Sequence, residues 1–181
     1  MEIQDPKLAQ ALGKLTAGLR EEDLRRLLYV MCVFELKRGD VLLEEGKLTQ
    51  SLYIVQQGAL RVTVGRGAKQ IELPEVTAGQ WVGEVSLLDP GPSSATVKVL
   101  RKTTTVLEFS HSALKDYIRS NPLGACVLLR ALARNLGDRL HRTSDGVIRD
   151  EGGRLSQVAA PPSEQHGWFK EVLLSLTHRD E

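Results

Sequence analysis

Ala78-Gly79-Gln80-Trp81-Val82-Gly83-Glu84-Val85-Ser86-Leu87-Leu88, resumed after a short turn by Pro92-Ser93-Ser94-Ala95-Thr96-Val97, is the stretch on which the fold is decided. A short helix opening after Gly83 presents backbone N–H groups with no partner inside the helix, and its dipole adds a potential that suits an anion. Gly83 lacks a Cβ, so a ligand can come close to its backbone. Glu84 repels a phosphate but accepts a hydrogen bond from a hydroxyl, and Ser93 and Ser94 offer hydroxyl donors beside the same spot.

Outward from this stretch, the apolar period is two. Val41 to Leu43, Leu52 to Val55, Leu60-Val62-Val64, Ile71-Leu73, Ala95-Val97-Val99 and Thr105-Leu107-Phe109 read as short strands, beginning near Val33. Turn signals separate them at Arg38-Gly39-Asp40, Glu45-Gly46-Lys47, Gln57-Gly58, Gly65-Arg66-Gly67 and Ala78-Gly79. Short strands at this spacing predict a closed or sandwiched antiparallel barrel.

Helices flank the strands. Asp5-Pro6 starts one, with Leu8, Leu12, Leu15 and Leu19 on one face before Gly18 interrupts it. A second begins near Arg20, with Glu21, Glu22 and Asp23 in its first turn and Leu24, Leu27 and Leu28 on its buried side. After Phe109, Ser110 or Ser112 caps a short helix that breaks at Asn121-Pro122. A longer one runs from about Leu123 to Thr143, with Ala125, Leu129, Leu132, Leu136 and Leu140 forming its stripe. Residues 144–166, with Gly152-Gly153 and Pro161-Pro162, read as a linker. Within 167–181, Trp168, Phe169, Val172, Leu173 and Leu176 mark one face of a short amphipathic helix. The expected organisation is N-terminal helices over 1–32, a barrel with C-terminal helices over 33–143, then linker and terminal helix.

Composition narrows the function. In 181 residues, 24 basic and 23 acidic side chains leave a net charge of +1, which argues against a general nucleic-acid binder. The N-terminus shows no signal peptide and no apolar run reaches membrane-span length, so a cytoplasmic protein is expected. Cys32 and Cys126 read as buried reduced thiols. His111, His141, His166 and His178 lack metal-ligand spacing and read as solvated. No nucleophile–base pair appears, so no catalytic residue, metal or cofactor is expected and the protein reads as a non-enzyme.

The glycine framework carries a resemblance. Lys37-Arg38-Gly39-Asp40-Val41-Leu42, Glu45-Gly46, Leu52-Tyr53-Ile54-Val55 and Gly58-Ala59-Leu60, followed by Gly83-Glu84 and Ala95-Thr96-Val97, resemble the cyclic nucleotide-binding domain family over roughly residues 19 to 143. That family includes catabolite activator-like regulators and regulatory subunits of cyclic-AMP-dependent kinase. The resemblance implies a mainly β jelly-roll barrel with flanking helices, and a phosphate-binding cassette made of Val82, Gly83, Glu84, Val85, Ser86, Ser93, Ser94 and Ala95. It gives Glu84 a ribose hydroxyl, and cyclic AMP or cyclic GMP as the ligand.

The chain departs from the family at Ser93, where the family's phosphate-pairing arginine stands. Losing a charge-assisted partner of a buried phosphate costs on the order of 2–4 kcal/mol, or roughly 30- to 1,000-fold in affinity. Arg61, Lys98 and Arg101 are the candidates to supply the missing charge. On the long helix, Arg139 or Arg142 either stacks on a base or is simply solvated; Thr143 is the hydroxyl of that segment. Residues 144–181 are too short and broken for a winged helix-turn-helix, so a stand-alone domain without DNA binding is expected. Resemblance to activator-like proteins points to a homodimer through residues 123–143, and the signal needs a protein effector, with the terminal helix as its handle. Membrane binding ranks last. Two readings stay open: a small-molecule sensor, or a ligand-independent interaction or dimerisation module with a vestigial pocket.

Overall fold

The computed structural model describes residues 12–13, 15–65 and 70–147, apart from the side chains of 139, 140 and 142–147. Its elements are α1 (Glu21–Tyr29), β1 (Cys32–Lys37), β2 (Val41–Leu43), β3 (Leu48–Thr49), β4 (Ser51–Gln57), β5 (Ala59–Val64), β6 (Ile71–Thr77), β7 (Trp81–Val82), α2 (Glu84–Leu88), β8 (Gly91–Pro92), β9 (Thr96–Val99), β10 (Thr103–Ser110), α3 (His111–Ser120) and α4 (Pro122–Val147). The strands pair as two four-stranded sheets, β1-β10-β4-β7 and β2-β9-β5-β6, with a two-stranded ribbon β3-β8. All the pairings are antiparallel. The jelly roll therefore closes by packing one sheet on the other, not by a continuous ring of hydrogen bonds.

Strand alternation places the core on both faces of the first sheet. Leu52 and Ile54 of β4, with Leu107 and Phe109 of β10, point to the helices, where they meet Leu27, Leu114, Tyr117, Leu128 and Leu132. Val55 and Val106, one residue out of phase, face the second sheet and meet Leu60, Val62, Val97 and Val99. Each such side chain, withdrawn from water, contributes about 1.5–3 kcal/mol. The register keeps like with like: Leu60 stands opposite Val99 and Val62 opposite Val97, while Arg61 opposes Lys98 on the outer side. Pro74 lies in β6, an edge strand, where its missing N–H breaks no central ladder.

The helices follow their sequence signals, with adjustments. Ser110 is the cap of α3, its hydroxyl accepting from the Ala113 N–H at 3.2 Å. The inward stripe of α4 runs through Ala125, Leu128 and Leu132, whereas Leu129 is only partly covered. Leu12 and Leu15 are buried ahead of α1. Asp23, expected only to complement the dipole of α1, is buried. Its carboxylate accepts from Arg20 Nε at 2.9 Å and from Asn121 Nδ2 at 2.9 Å. The hydrogen bond from the Arg20 guanidinium holds the Asp23 carboxyl below the usual range, and the Asn121 amide assists. Tyr117 donates to the Asp23 carbonyl at 3.0 Å, so α1 is tied to the elbow between α3 and α4.

Both cysteines correct the sequence reading: Cys32 and Cys126 are exposed, and both are free. Cys32 opens the edge strand β1, of which Leu36 is the residue packed on the core. Cys126 follows buried Ala125, and a helix turns its next side chain away by about 100°. Apolar neighbours in sequence did not become neighbours in space. Helix α4 runs on through Val147, four residues into the expected linker. The first helix as far as residue 11, the turn at 66–67, the rest of the linker over 148–166 and the helix over 167–181 lie outside the described residues.

Candidate functional site

Gly83 joins β7 to α2 with a φ of 87°, in the left-handed region that glycine tolerates. A Cβ built on it would stand 2.2 Å from the Ser51 carbonyl oxygen and 3.3 Å from the Ser51 carbonyl carbon. Glycine is thus required twice over, by its dihedral and by the backbone of β4 pressed beneath it. The pairings Tyr53–Val82 and Ile54–Trp81 hold β7 on β4 and set that approach.

From Gly83 the chain turns into α2. Glu84 is buried, with 4% of its surface exposed, and Ser86 and Leu87 are buried beside it, while Val85 faces outward. Val82 sits in the layer between the sheets. The return arm is equally fixed. Both backbone groups of Ser93 are bound, its carbonyl accepting from the Gly46 N–H at 2.8 Å and its N–H donating to the Lys47 carbonyl at 2.8 Å. Leu48 pairs with Pro92 and Thr49 with Gly91 in the ribbon just ahead. Thr96 then accepts from the Glu45 N–H at 3.1 Å, and Glu45 accepts from the Gly65 N–H at 2.8 Å.

The structure brings Val82, Gly83, Glu84, Val85 and Ser86 together on one arm and Ser93, Ser94 and Ala95 on the other, joined through the loop at 45–49. Within that pair of arms, Ser93 is buried and its hydroxyl donates to the Ala95 carbonyl at 2.7 Å. Its hydroxyl serves its own turn. Ser94 is exposed and Ala95 packs against the inter-sheet core.

The basic residues stand elsewhere. Arg61 lies on the outer side of β5 and pairs with Glu72 at 3.2 Å, both side chains about half exposed. Arg101 pairs with Glu75 at 3.7 Å. Lys98 is exposed on β9, across from Arg61. Alternation explains the outcome: with Leu60, Val62, Val97 and Val99 turned inward, Arg61 and Lys98 must face out. The side chains of Arg139, Arg142 and Thr143 lie outside the described residues.

His111 corrects the solvated reading. It is buried, with 8% of its surface exposed, and its Nδ1 lies 2.7 Å from the Leu87 carbonyl oxygen. A carbonyl only accepts, so Nδ1 carries the proton. The signal was present in the spacing: His111, Leu114 and Tyr117 repeat every three residues, along the buried side of α3. His141 is exposed, and His166 and His178 lie outside the described residues. Among the described residues, no group of three or more His, Cys, Asp or Glu could hold a metal, and no helix is long and apolar enough to cross a membrane.

Comparison with known proteins places this geometry. The family model of the cyclic nucleotide-binding domain matches residues 33–121. The CRP-like cAMP-activated global transcriptional regulator of Mycobacterium tuberculosis is 27% identical over 147 residues, spanning 80% of this chain and 64% of that protein. The chain therefore spans less than two thirds of that relative's length. The N-terminal domain of a transcriptional regulator from Streptomyces coelicolor A3(2) is 34% identical, with a TM-score of 0.62 over 73% of this chain and 91% of that one. A cyclic nucleotide-binding domain from Methylobacillus flagellatus, 24% identical, shares the fold with a TM-score of 0.73 over 81% of this chain and 85% of that one.

Proposed function

We propose that this chain, which belongs to the cyclic nucleotide-binding domain family, is a regulatory domain that takes a cyclic AMP- or cyclic GMP-type ligand at residues 82–95 and signals through a protein effector. The observation that carries the reading is Gly83, held at positive φ over the Ser51 carbonyl and leading directly into the buried carboxylate of Glu84. Such a carboxylate accepts hydrogen bonds from a ribose hydroxyl. The ligand's phosphate would meet the backbone of the two arms and the hydroxyls of Ser86 and Ser94, a weaker grip than a guanidinium gives.

In this reading the protein is non-enzymatic, binds no nucleic acid, and works in the cytoplasm as a homodimer through residues 123–143. Leu123 and Cys126, on the outward side of α4, are available to a second copy. The linker over 144–166 and the segment 167–181 would carry the effector contact.

One observation favours the second reading, a ligand-independent interaction or dimerisation module. The Ser93 hydroxyl is committed to the Ala95 carbonyl, and Arg61 and Arg101 are committed to Glu72 and Glu75. Calorimetry with cyclic AMP and cyclic GMP at millimolar concentration separates the two. A sensor gives a binding isotherm that Glu84→Ala weakens by about tenfold or more, the worth of a hydrogen bond to a charged group. Silence from the wild-type protein leaves the module reading standing.

A further inference from the structure

We propose that His111 is a positioning residue for the candidate site, clamping the far end of the cassette helix α2 onto α3. The proposal rests on reading residues 82–95 as that site, and deepens it by naming what holds the site in shape.

In a helix of five residues, most backbone N–H and C=O groups belong to the end turns and need partners outside the helix. At its two ends, the Leu87 N–H donates to the Gly83 carbonyl at 2.9 Å and the Asp89 N–H to the Val85 carbonyl at 2.8 Å. The last carbonyls of any helix lack an intrahelical partner, and Leu87 is next to last. Its side chain is fully buried among the helix-facing core, so its carbonyl cannot turn freely to water. The His111 imidazole meets that carbonyl at 2.7 Å.

The same residue grips the other side. The N–H of His111, at the start of α3, donates to the Gln50 carbonyl at 2.8 Å. Gln50 precedes Ser51, whose carbonyl oxygen lies directly beneath Gly83. One residue thus spans the cassette: its backbone is tied to the strand under the start of α2 and its ring to the carbonyl at the end. An aliphatic residue at 111 could fill the space but could not satisfy Leu87. Any shift of α2 must then either break this bond or move the start of α3.

The test needs no ligand, so it fails independently of the ligand reading. Amide hydrogen exchange, followed by NMR on the full chain, is compared in wild type and in His111→Leu, His111→Asn and His111→Gln. The Leu87 and Asp89 amides report on α2, and the Val55 amide, which donates to the Gln80 carbonyl in the sheet, serves as reference. Leaving a buried carbonyl unsatisfied should speed exchange at Leu87 and Asp89 by roughly 5- to 100-fold relative to Val55. Asparagine, whose side-chain amide nitrogen falls near the Nδ1 position, should restore slow exchange, and glutamine should not. Should His111→Leu fail to fold, the Asn and Gln variants carry the comparison by themselves. Equal acceleration at all three amides, or no difference between Asn and Gln, would show that His111 merely fills space and would overturn the proposal.

Discussion

Replacing Gly83 by alanine tests the geometry of the site directly. The new Cβ faces two separate penalties. Holding a non-glycine residue in the left-handed region, at a φ of 87°, costs about 1–2 kcal/mol. The Cβ also lands 2.2 Å from the Ser51 carbonyl oxygen, so the two backbones must part by roughly 1 Å or more to reach ordinary separations. That atom belongs to β4, paired on both sides, and cannot swing away as a flexible side chain would. Overpacking of this kind costs typically about 1–3 kcal/mol. Gly39 supplies the control. Its φ is 93°, yet a Cβ there meets nothing within 4 Å, so Gly39→Ala carries only the dihedral penalty. Urea unfolding followed by circular dichroism should place Gly39→Ala about 1–2 kcal/mol below wild type. Gly83→Ala should lie about 1–3 kcal/mol lower still, some 2–12 °C further down in melting temperature. If the two variants are equally stable, β4 does not press on Gly83, and the close approach that makes glycine necessary at the head of the site is refuted.

Two further outcomes follow from the same structure. Ser93→Arg should raise cyclic AMP affinity by roughly 30- to 1,000-fold in calorimetry, since it returns a charge-assisted partner to a phosphate; an unchanged isotherm would mean that the missing charge is not the defect. Asp23 has its carboxyl held below the ordinary 3.8, chiefly by the Arg20 hydrogen bond, so its contribution to stability is present above that value and lost as pH falls through the lower folded-state one. Asp23→Asn should therefore flatten the acid end of the stability profile in urea titrations, and a profile parallel to wild type below pH 3.8 would refute the assignment.

The misreadings share one cause. Asp23 and Leu27 are four apart, which puts them on one face of α1, yet nothing local says that Asn121 and Arg20 will be there to satisfy a buried carboxylate. His111 sits at the boundary of β10 and α3, and its partner, the Leu87 carbonyl, lies 24 positions away along the chain. The two-residue strands β3, β7 and β8 are too short to show a period, and they exist because longer neighbours hold them. A side chain's partner is a property of the folded molecule when that partner is a distant backbone group.

Alone, the order of residues determined the alternating strands, the positive-φ glycines and the Ser110-capped start of α3, because these depend on dihedral preferences and on a period of two or 3.6 along the chain. It therefore determined the jelly roll and the position of the Gly83-Glu84 turn within it. Only the tertiary structure decided which polar groups meet: that Ser93 satisfies its own turn, that Arg61 and Arg101 belong to Glu72 and Glu75, and that His111 closes the end of α2. Hydrogen bonds and ion pairs act over a few ångströms, and which atoms come that close is settled by how the sheets and helices pack.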